Sequence, residues 1–554
     1  MSVDPITLAV MRGNFEQIAD DMDTVLGASA ISSIIADAWD LASGIFHPDS
    51  GEVIAQGPNG LPIFIVVMQH TVQAVLKSFA PATMQPGDVF IVNDPYSGGT
   101  HTMDVKLVKP YFREGRLAMF VANTGHWPDV GGMTPGGFTP ASTDVYQEGL
   151  RMPPVRLIEA GRMNESLLRV MLLNMRSAED RRGDLAAQLN SLEVGCKRLD
   201  GLFDRFSRET IFECVDELKA RSETLMRRCI ESIPDGSYRF EDEFDNDGVD
   251  PQPLKIALEI EVRGSRIVFD VSGSSDQCRG PFNCPLSSTI SALMIGMKHI
   301  FPEIPVNSGC FAPFEFVAPL GNVYNPIEPA PVSATTTETA QRLIEAVIGA
   351  LAPVVPDRVP AGTFCTGTNI GIGGHSPTRG RYVNMFFFGG GYGGSSSADG
   401  LTNGSTLVST ARNTSIEVLE RTTPLLFTRY AVREGSAGAG EFRGGYGVDI
   451  AFELRDGDAY LTLVGDRSRT APHGLFGGMP GAPADHEFTV QGKTTKAPFL
   501  TKVDRLYLRA KDGVHLRTPG GGGYGSPDAR GEELRARDRD NGYEAAASET
   551  DSGI

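Results

Sequence analysis

Cysteine and tryptophan are scarce: seven and two in 554 residues. No two cysteines form a C-x-x-C pair, and the nearest, Cys278 and Cys284, frame five residues. That excludes a dense disulfide framework and fits reduced, mostly structural thiols in a cytoplasmic protein. Basic charge is also short, with 50 Lys and Arg against 69 Asp and Glu, a net charge of -19. No long basic cluster interrupts this balance, which argues against nucleic acid and against anionic membrane surfaces as partners. Long hydrophobic runs are missing. The longest, residues 61–68 (LPIFIVVM), is far too short to span a bilayer. The start, MSVDPITLAV, has no basic region followed by a long apolar run, so no signal peptide is evident. There is no GxxxxGK[ST] phosphate loop, no HExxH and no GxSxG elbow.

Glycine, by contrast, is plentiful: 64 residues, many in clusters flanked by apolar side chains. Such clusters indicate tight loops and close backbone approaches rather than flexible linkers. With 41% hydrophobic and 21% charged residues the chain is globular. Its length suits roughly two to four domains.

Asp4-Pro5 reads as an N-cap followed by proline at the first helical position, with a helix beyond it. Residues 36–46 and 52–55 read as strands joined by the turn Pro48-Asp49-Ser50-Gly51. From 163 to 233, Leu185, Leu189, Leu192, Leu199, Leu202 and Phe206 recur at helical spacing, predicting two or three long helices. Pro234-Asp235-Gly236 marks a boundary. Strands are expected at 237–243, 254–262 and 265–271, and buried helices at 287–299 and 336–351. The stretches 363–388 and 428–462 are β-rich. Residues 518–525, TPGGGGYG, read as a tight structural turn, with an anion cradle as the alternative. After residue 527 the chain is polar and its last residues are expected to fray. The fold class is therefore mixed α/β (α+β) and multi-domain, with β-rich N- and C-terminal parts around a central long-helix segment. The divisions are 1–160, 161–233, 234–526 and the tail 527–554.

Chemistry concentrates between Asn93 and Pro140. Residues 104–112 and 116–123 alternate as a hairpin around Arg113-Glu114-Gly115. Counting outward from a three-residue turn places Asp104 opposite Thr124, with His101 and His126 on the two loops beyond. Two imidazoles and a carboxylate held by a rigid hairpin form a common shell for a catalytic divalent transition metal. Two loop histidines without a metal remain the plainer alternative. Asp94 and Asp129 are further oxygens, as ligands or as acceptors for imidazole N–H groups. Asp40, between Trp39 and Leu41, is either a hydrogen-bonded buried carboxylate or another ligand.

Taken together, the motifs resemble the hydantoinase B family, the B-type subunits of N-methylhydantoinase, oxoprolinase and acetone carboxylase enzymes. Matching stretches include DPITLAV, NDPYSGGTHTMD, TGHWPDVGG, YQEGLRMPP, GDLAAQLNSLEVGCKRL, GPFNCP, ETAQRLIEAVIGAL, EGSAGAGEFRGGYG and TPGGGGYGSP, in order over most of the chain. The resemblance implies an A-type partner subunit that binds ATP and phosphorylates the substrate or bicarbonate. It implies a divalent metal (Zn, Mn or Fe) on His101, Asp104 and His126, with Asp40 as a fourth ligand. Residues 61–68 and DLASGIF depart from the usual pattern, and both are expected near the pocket. The expected activity is ATP-dependent opening of a cyclic amide (a hydantoin, 5-oxoproline or a lactam) by a metal-activated water, with Asp129 orienting a histidine or that water. The alternatives are an ATP-dependent ketone carboxylase subunit and a non-catalytic scaffold for the A-type chain.

Overall fold

The computed structural model describes residues 3–543. The fraying expected of the last residues falls outside them. Helix α1 (Pro5–Ser29) begins as its cap predicts, with the Asp4 carboxylate accepting from the Thr7 N–H at 2.8 Å. A short turn, α2 (Ser33–Ala36), follows. Strand β1 (Leu41–Phe46) therefore starts later than residue 36, because residues 33–36 are helical and Trp39 turns the chain at φ 64°. β2 (Val53–Gln56) pairs with it. The apolar run 61–68 then opens a helix, α3 (Phe64–Ser78).

β3 (Val89–Val92), β4 (Asp104–Arg113), β5 (Arg116–His126), β6 (Val155–Glu159) and β7 (Arg162–Met163) complete an antiparallel sheet ordered β2-β1-β5-β4-β3-β6-β7. Its middle strands are buried on both faces, so apolar residues occupy alternate and intervening positions alike. α4 (Glu165–Leu173), α5 (Ala178–Arg205) and α6 (Arg208–Glu231) are the expected helices. α1 and α5 cover one face, where Lys109 meets Glu193 and Asn123 donates to the Gln188 carbonyl. α3 covers the other, where the Lys106 ammonium lies 5.8 Å from the Phe64 ring centre.

The hairpin register differs from the expectation. The turn has two residues, Glu114 (φ 51°) and Gly115 (φ 75°), so Arg113 pairs with Arg116. This left-handed pair matches the twist of the strands. A bulge between Tyr111 and Phe112 adds one more step. Asp104 consequently stands opposite His126, and Lys106 opposite Thr124. His126 is the last residue of a strand, not a loop residue.

A second sheet, β11-β10-β9-β8, uses β8 (Gly236–Phe244), β9 (Leu254–Arg263), β10 (Arg266–Asp270) and β11 (Phe314–Val317), the last pair parallel. α7 (Leu286–Ile300) and α8 (Gln341–Leu351) pack together, α8 against β8 and β9, α7 against α3. A π-helical turn, Thr335–Ala340, leads into α8. Two more sheets follow. One is β13-β12-β16-β19, from β12 (Asn369–Ser376), β13 (Gly380–Phe387), β16 (Asp458–Val464) and β19 (Val503–Arg509). The other is β14-β15-β20-β17-β18, from β14 (Leu425–Val432), β15 (Val448–Leu454), β17 (Asp485–Val490), β18 (Lys493–Thr495) and β20 (Gly513–Arg517). They share a second apolar core around Ile370, Phe386, Ile450, Phe452, Leu461 and Leu516. α9 (Ile416–Thr422) packs on β14, and α10 (Glu532–Asp540) lies in the polar tail, anchored where Asp538 accepts from Arg443 at 3.1 Å.

The glycine clusters form a bundle, not a turn. Gly520, Gly521, Gly522 and Gly523 donate their N–H groups to the carbonyls of Ala482, Gly445, Gly362 and Met479 at 2.8–3.1 Å. Residues three apart, 520 and 523, return to one neighbour, the segment 479–482. Hydrogen bonds running only sideways, with a three-residue period, are the signature of a polyproline II strand packed among others. A Cβ on Gly521 would overlap the Tyr392 carbonyl, and one on Gly522 the His473 carbonyl. The anion-cradle alternative fails because these N–H groups already have backbone acceptors. Among the described residues no helix is long and apolar enough to cross a membrane.

Candidate functional site

Three side chains converge on the α3 face of the first sheet. Residues directly opposite across a strand pair project to the same face. Asp104 and His126 obey this, with His126 Nδ1 3.1 Å from Asp104 Oδ1. His101 arrives from the loop before β4. Gly98 takes φ 82° there, and the loop is pinned where Thr71 Oγ1 donates to the Gly98 carbonyl and Ser287 Oγ to that of Gly99, each at 2.7 Å. This puts His101 Nε2 3.4 Å from Asp104 Oδ2. The imidazoles meet edge to face with centres 5.2 Å apart. One ligand atom from each of the three lies within 4.8 Å of the others, close enough to share one ion.

Asp40 reaches the same place from the loop before β1. Its carbonyl accepts from the His126 N–H at 3.2 Å, and its Oδ2 is 4.0 Å from His126 Nδ1. Phe138 stacks on the His126 ring at 6.2 Å and meets His101 edge-on at 6.0 Å. Lys106, also buried, donates to the Asp104 carbonyl at 3.0 Å and to Thr100 Oγ1 at 3.4 Å. Thr100 Oγ1 in turn donates to Asp104 Oδ2.

Burial sets the protonation states. It pushes His101 down to about 3, with the Asp104 carboxylate opposing it. For Asp104, burial opposes ionisation, but His101, His126 and Lys106 outweigh it and the carboxyl falls well below its usual range. Burial lifts Asp40 to about 7 against the pull of His126, and lowers Lys106 to about 8. His126 resists its own burial because Asp104 and Asp40 favour its cation. Neutral imidazole and ionised carboxylate are the forms that bind a divalent cation.

Three buried atoms here have no hydrogen-bond partner: His101 Nδ1, His126 Nε2 and Asp40 Oδ1. Buried polar atoms are rarely left so, and each unpaired one costs free energy. Together with the donor types, they make this a set that could hold a divalent transition metal.

Asp129 and Asp94 do not join the cluster. Asp129 Oδ1 accepts from the Gly131 N–H at 2.8 Å, and Oδ2 takes the Arg176 guanidinium at 2.9 Å. Its carboxylate secures the loop after β5 and does not line the cavity, so in this structure it touches neither imidazole. Asp94 is likewise committed, to Arg151 at 2.7 Å and Ser97 Oγ at 2.6 Å.

His101, Asp104, His126 and Asp40 open onto one small cavity of about 40 Å³. A water needs about 10–15 Å³ by this measure, so the chamber as it stands holds an ion and a few waters. A ring substrate enters only if the walls part. Leu61, Ile63 and Phe64 form one wall, as expected of the divergent run 61–68. The rest was not legible in sequence: Thr336 and Thr337 from the π-helical turn, Asn369, Met385 and Phe387 from β12 and β13, and residues 406–411. They come from more than two hundred residues downstream. The one local signal was the polar run TTTETA immediately ahead of the largely apolar helix that follows it.

Comparison with known proteins gives this geometry a context. The beta chain of the caprolactamase of Pseudomonas jessenii is 31% identical, covering 95% of this chain and 91% of that one. A chain from Pseudomonas sp. (strain NS671), named as the B component of a D-/L-hydantoinase, is 29% identical, covering 98% and 93%. The crystal structure of the ATP-dependent caprolactamase from Pseudomonas jessenii superimposes with a TM-score of 0.88 at 28% identity, over 98% of this chain and 95% of that one. The family model described as hydantoinase B/oxoprolinase matches residues 4–527, an interval that contains all four chamber carboxylates and imidazoles and the glycine bundle. The chain is a member of the hydantoinase B/oxoprolinase family.

Proposed function

We propose that the chain is the B-type subunit of a heteromeric, ATP-dependent hydrolase that opens a cyclic amide. The observation that carries this reading is the small chamber in which His101, Asp104, His126 and Asp40 meet beside apolar walls. An A-type partner supplies ATP, since this chain has none of the nucleotide motifs. Five-membered cyclic amides are resonance-stabilised and nearly unstrained. Phosphorylating the carbonyl oxygen removes that resonance and opens the carbon to water. The C–N bond then breaks, the ring nitrogen leaves with a proton, and hydrolysis of the resulting acyl phosphate releases phosphate and the carboxylate.

The chain's own side chains supply the rest. His101, Asp104 and His126 would hold a divalent metal, with Asp40 as fourth ligand. When bound, such an ion polarises an oxygen and lowers the pKa of water towards neutrality. Asp104 is aligned for this by Thr100 and its strand neighbours, which remove the freedom of a surface carboxylate. Phe138, Phe64, Leu61 and Val408 exclude bulk water, which strengthens every polar contact inside and keeps an activated amide from being lost.

The assembled complex, given a cyclic amide and ATP in labelled water, should place solvent oxygen in the new carboxylate without added bicarbonate. If turnover instead requires bicarbonate and its carbon appears in product, the chain belongs to a carboxylase and this reading is wrong.

A further inference from the structure

Behind the apolar wall of the chamber lies a second cavity, of about 390 Å³. Val66, Met294, Ile295, Val306 and Phe311 give it apolar sides. Its volume is that of a small-molecule pocket, whereas the chamber has room for an ion and a few waters. Two segments of chain stand between the two spaces, and each shows alternate residues to either side. In residues 60–63, Leu61 and Ile63 line the chamber while Gly60 and Pro62 line the outer pocket. In residues 408–411, Val408, Ser409 and Ala411 line the chamber while Thr410 lines the outer pocket. The partition is therefore a single chain thick along both segments.

The two segments are held unequally. The first is tied to the sheet and to α7: the Leu61 N–H donates to the Leu41 carbonyl at 3.0 Å, Gln56 Nε2 to the Leu61 carbonyl at 3.2 Å, and Ser291 Oγ to the Ile63 carbonyl at 2.8 Å. The second belongs to a strap, residues 405–411, that lies outside every helix and strand. Its ends are anchored, where the Gly404 N–H donates to the Gly390 carbonyl at 2.7 Å and the Arg412 N–H to the Ala38 carbonyl at 2.8 Å. Between these anchors, three hydrogen bonds join the strap to the rest of the described chain. His299 Nε2 donates to the Leu407 carbonyl at 3.1 Å, the Ile63 N–H to the Val408 carbonyl at 3.2 Å, and Thr410 Oγ1 to the Asn59 carbonyl at 3.4 Å. The Ser409 and Ala411 N–H groups bond within the strap itself, to the Thr406 carbonyl and Ser409 Oγ. A segment with its own internal turn and few outward bonds moves as a unit at small cost.

The opposite wall is built differently. A groove of about 810 Å³ touches the loop after β5 at Met133 and Pro135, but only Phe138 of that loop reaches the chamber. Phe138 is fully buried against both imidazoles, and its loop is pinned by the Met133 N–H on the Gln147 carbonyl at 2.8 Å, by Thr134 Oγ1 on the Phe138 carbonyl at 2.7 Å, and by Arg176 on the Gly132 carbonyl at 2.6 Å. Opening there would strip the packing from His101 and His126. Resting on the functional reading above, we propose that the outer pocket is the vestibule of the chamber and that the strap 405–411 is its gate, moving between its anchors at Gly404 and Arg412 and latched by His299. His299 lines the vestibule and not the chamber, so it acts through the strap as a positioning residue.

The test times the escape of bound divalent metal from the purified chain into excess EDTA. Asn59→Cys combined with Thr410→Cys puts two thiols across the seam at exposed positions, away from the metal-ligating set. Each single variant controls for the seven native thiols. With the bridge formed and verified by mass, metal should leave at least about tenfold more slowly than from wild type, at unchanged metal content, and a phosphine reductant should restore the rate. Turnover by the complex with the ATP-binding partner should fall and recover in step. A bridged chain that releases metal at the wild-type rate would overturn the proposal. His299→Ala serves if the bridge does not form: release should quicken by about 3–10-fold, as expected for one lost hydrogen bond, while His299→Gln, which keeps a donor, should stay near wild type. A His299→Ala rate equal to wild type, or an equal change in both variants, would also overturn it. A wild-type chain that binds no divalent metal would instead sink the functional reading, and this proposal with it.

Discussion

The chamber and the glycine bundle solve opposite packing problems within one chain. Around the chamber, large side chains such as Phe64, Phe138 and Phe387 fill space, and specificity comes from which polar atoms they leave exposed to one another. In the bundle, side chains are excluded altogether and backbone groups do the recognising. There every central N–H from Gly520 to Gly523 finds a carbonyl on a neighbouring strand. The chamber tolerates unpaired buried atoms because a ligand can satisfy them. The bundle has none to spare, since no ligand could reach them. Substitutions in the chamber should therefore change chemistry and leave the fold, while substitutions in the bundle should do the reverse.

The largest expected effect is in the bundle. Gly521→Ala places a methyl group inside the Tyr392 carbonyl and against the Gly393 N–H, backbone that cannot rotate away. It should destabilise by more than about 4 kcal/mol, read as loss of soluble protein or a collapsed melting temperature. A variant that melts like wild type would show that the bundle yields easily and would erase the contrast. Next comes the chamber. His101→Ala and His126→Ala should each lose bound divalent metal and more than about a hundredfold in activity, exceeding the loss expected when only an outer partner of a ligand is removed. Their melting should stay close to wild type. Equal metal content by elemental analysis in wild type and both variants would contradict the assignment.

Asp129→Asn should behave as a structural change. It weakens a buried carboxylate's pairing with partly exposed Arg176, and a loss of roughly 1–3 kcal/mol is expected, with metal content unchanged. Loss of metal at unchanged stability would instead support a role for Asp129 at the chamber. The smallest effect should be Gly115→Ala. This glycine is also left-handed, at φ 75°, but a Cβ there meets nothing within 4 Å. The cost is the backbone strain alone, about 1 kcal/mol, by chemical denaturation. Set beside Gly521→Ala, it separates what a glycine does by conformation from what it does by making room.

Sequence reasoning reached the chamber's near side and stopped there. Alternation in residues 104–123 revealed the hairpin, because each strand carries a local period. It missed the register by two positions, since Glu114 tolerates a left-handed conformation and a bulge leaves no local mark. That error hid the direct pairing of Asp104 with His126, although the right residues were still gathered. Asp40 stood out in sequence only as a carboxylate in an apolar setting, either hydrogen-bonded or a ligand, and the family resemblance joined it to the set; the left-handed Trp39 just before it is visible only in the fold. Asn369 and Thr337 were invisible. Nothing in a short window links residue 369 to residue 101. The glycine runs misled for a physical reason: a tight turn and a close-packed extended strand both demand the absence of a Cβ, and a single segment cannot reveal how many neighbours press on it.

The bundle also has a chronology. Its axial strand, 518–525, is the last of its members in the chain, and the neighbours it binds, at 362, 391–394, 436–445 and 472–482, are all made before it. Until the axis emerges from the ribosome, the backbone groups of those segments that bond to it lack their partners. The fold is thus completed in the manner of a keystone, and during synthesis the half-built bundle is the stretch most exposed to wrong partners.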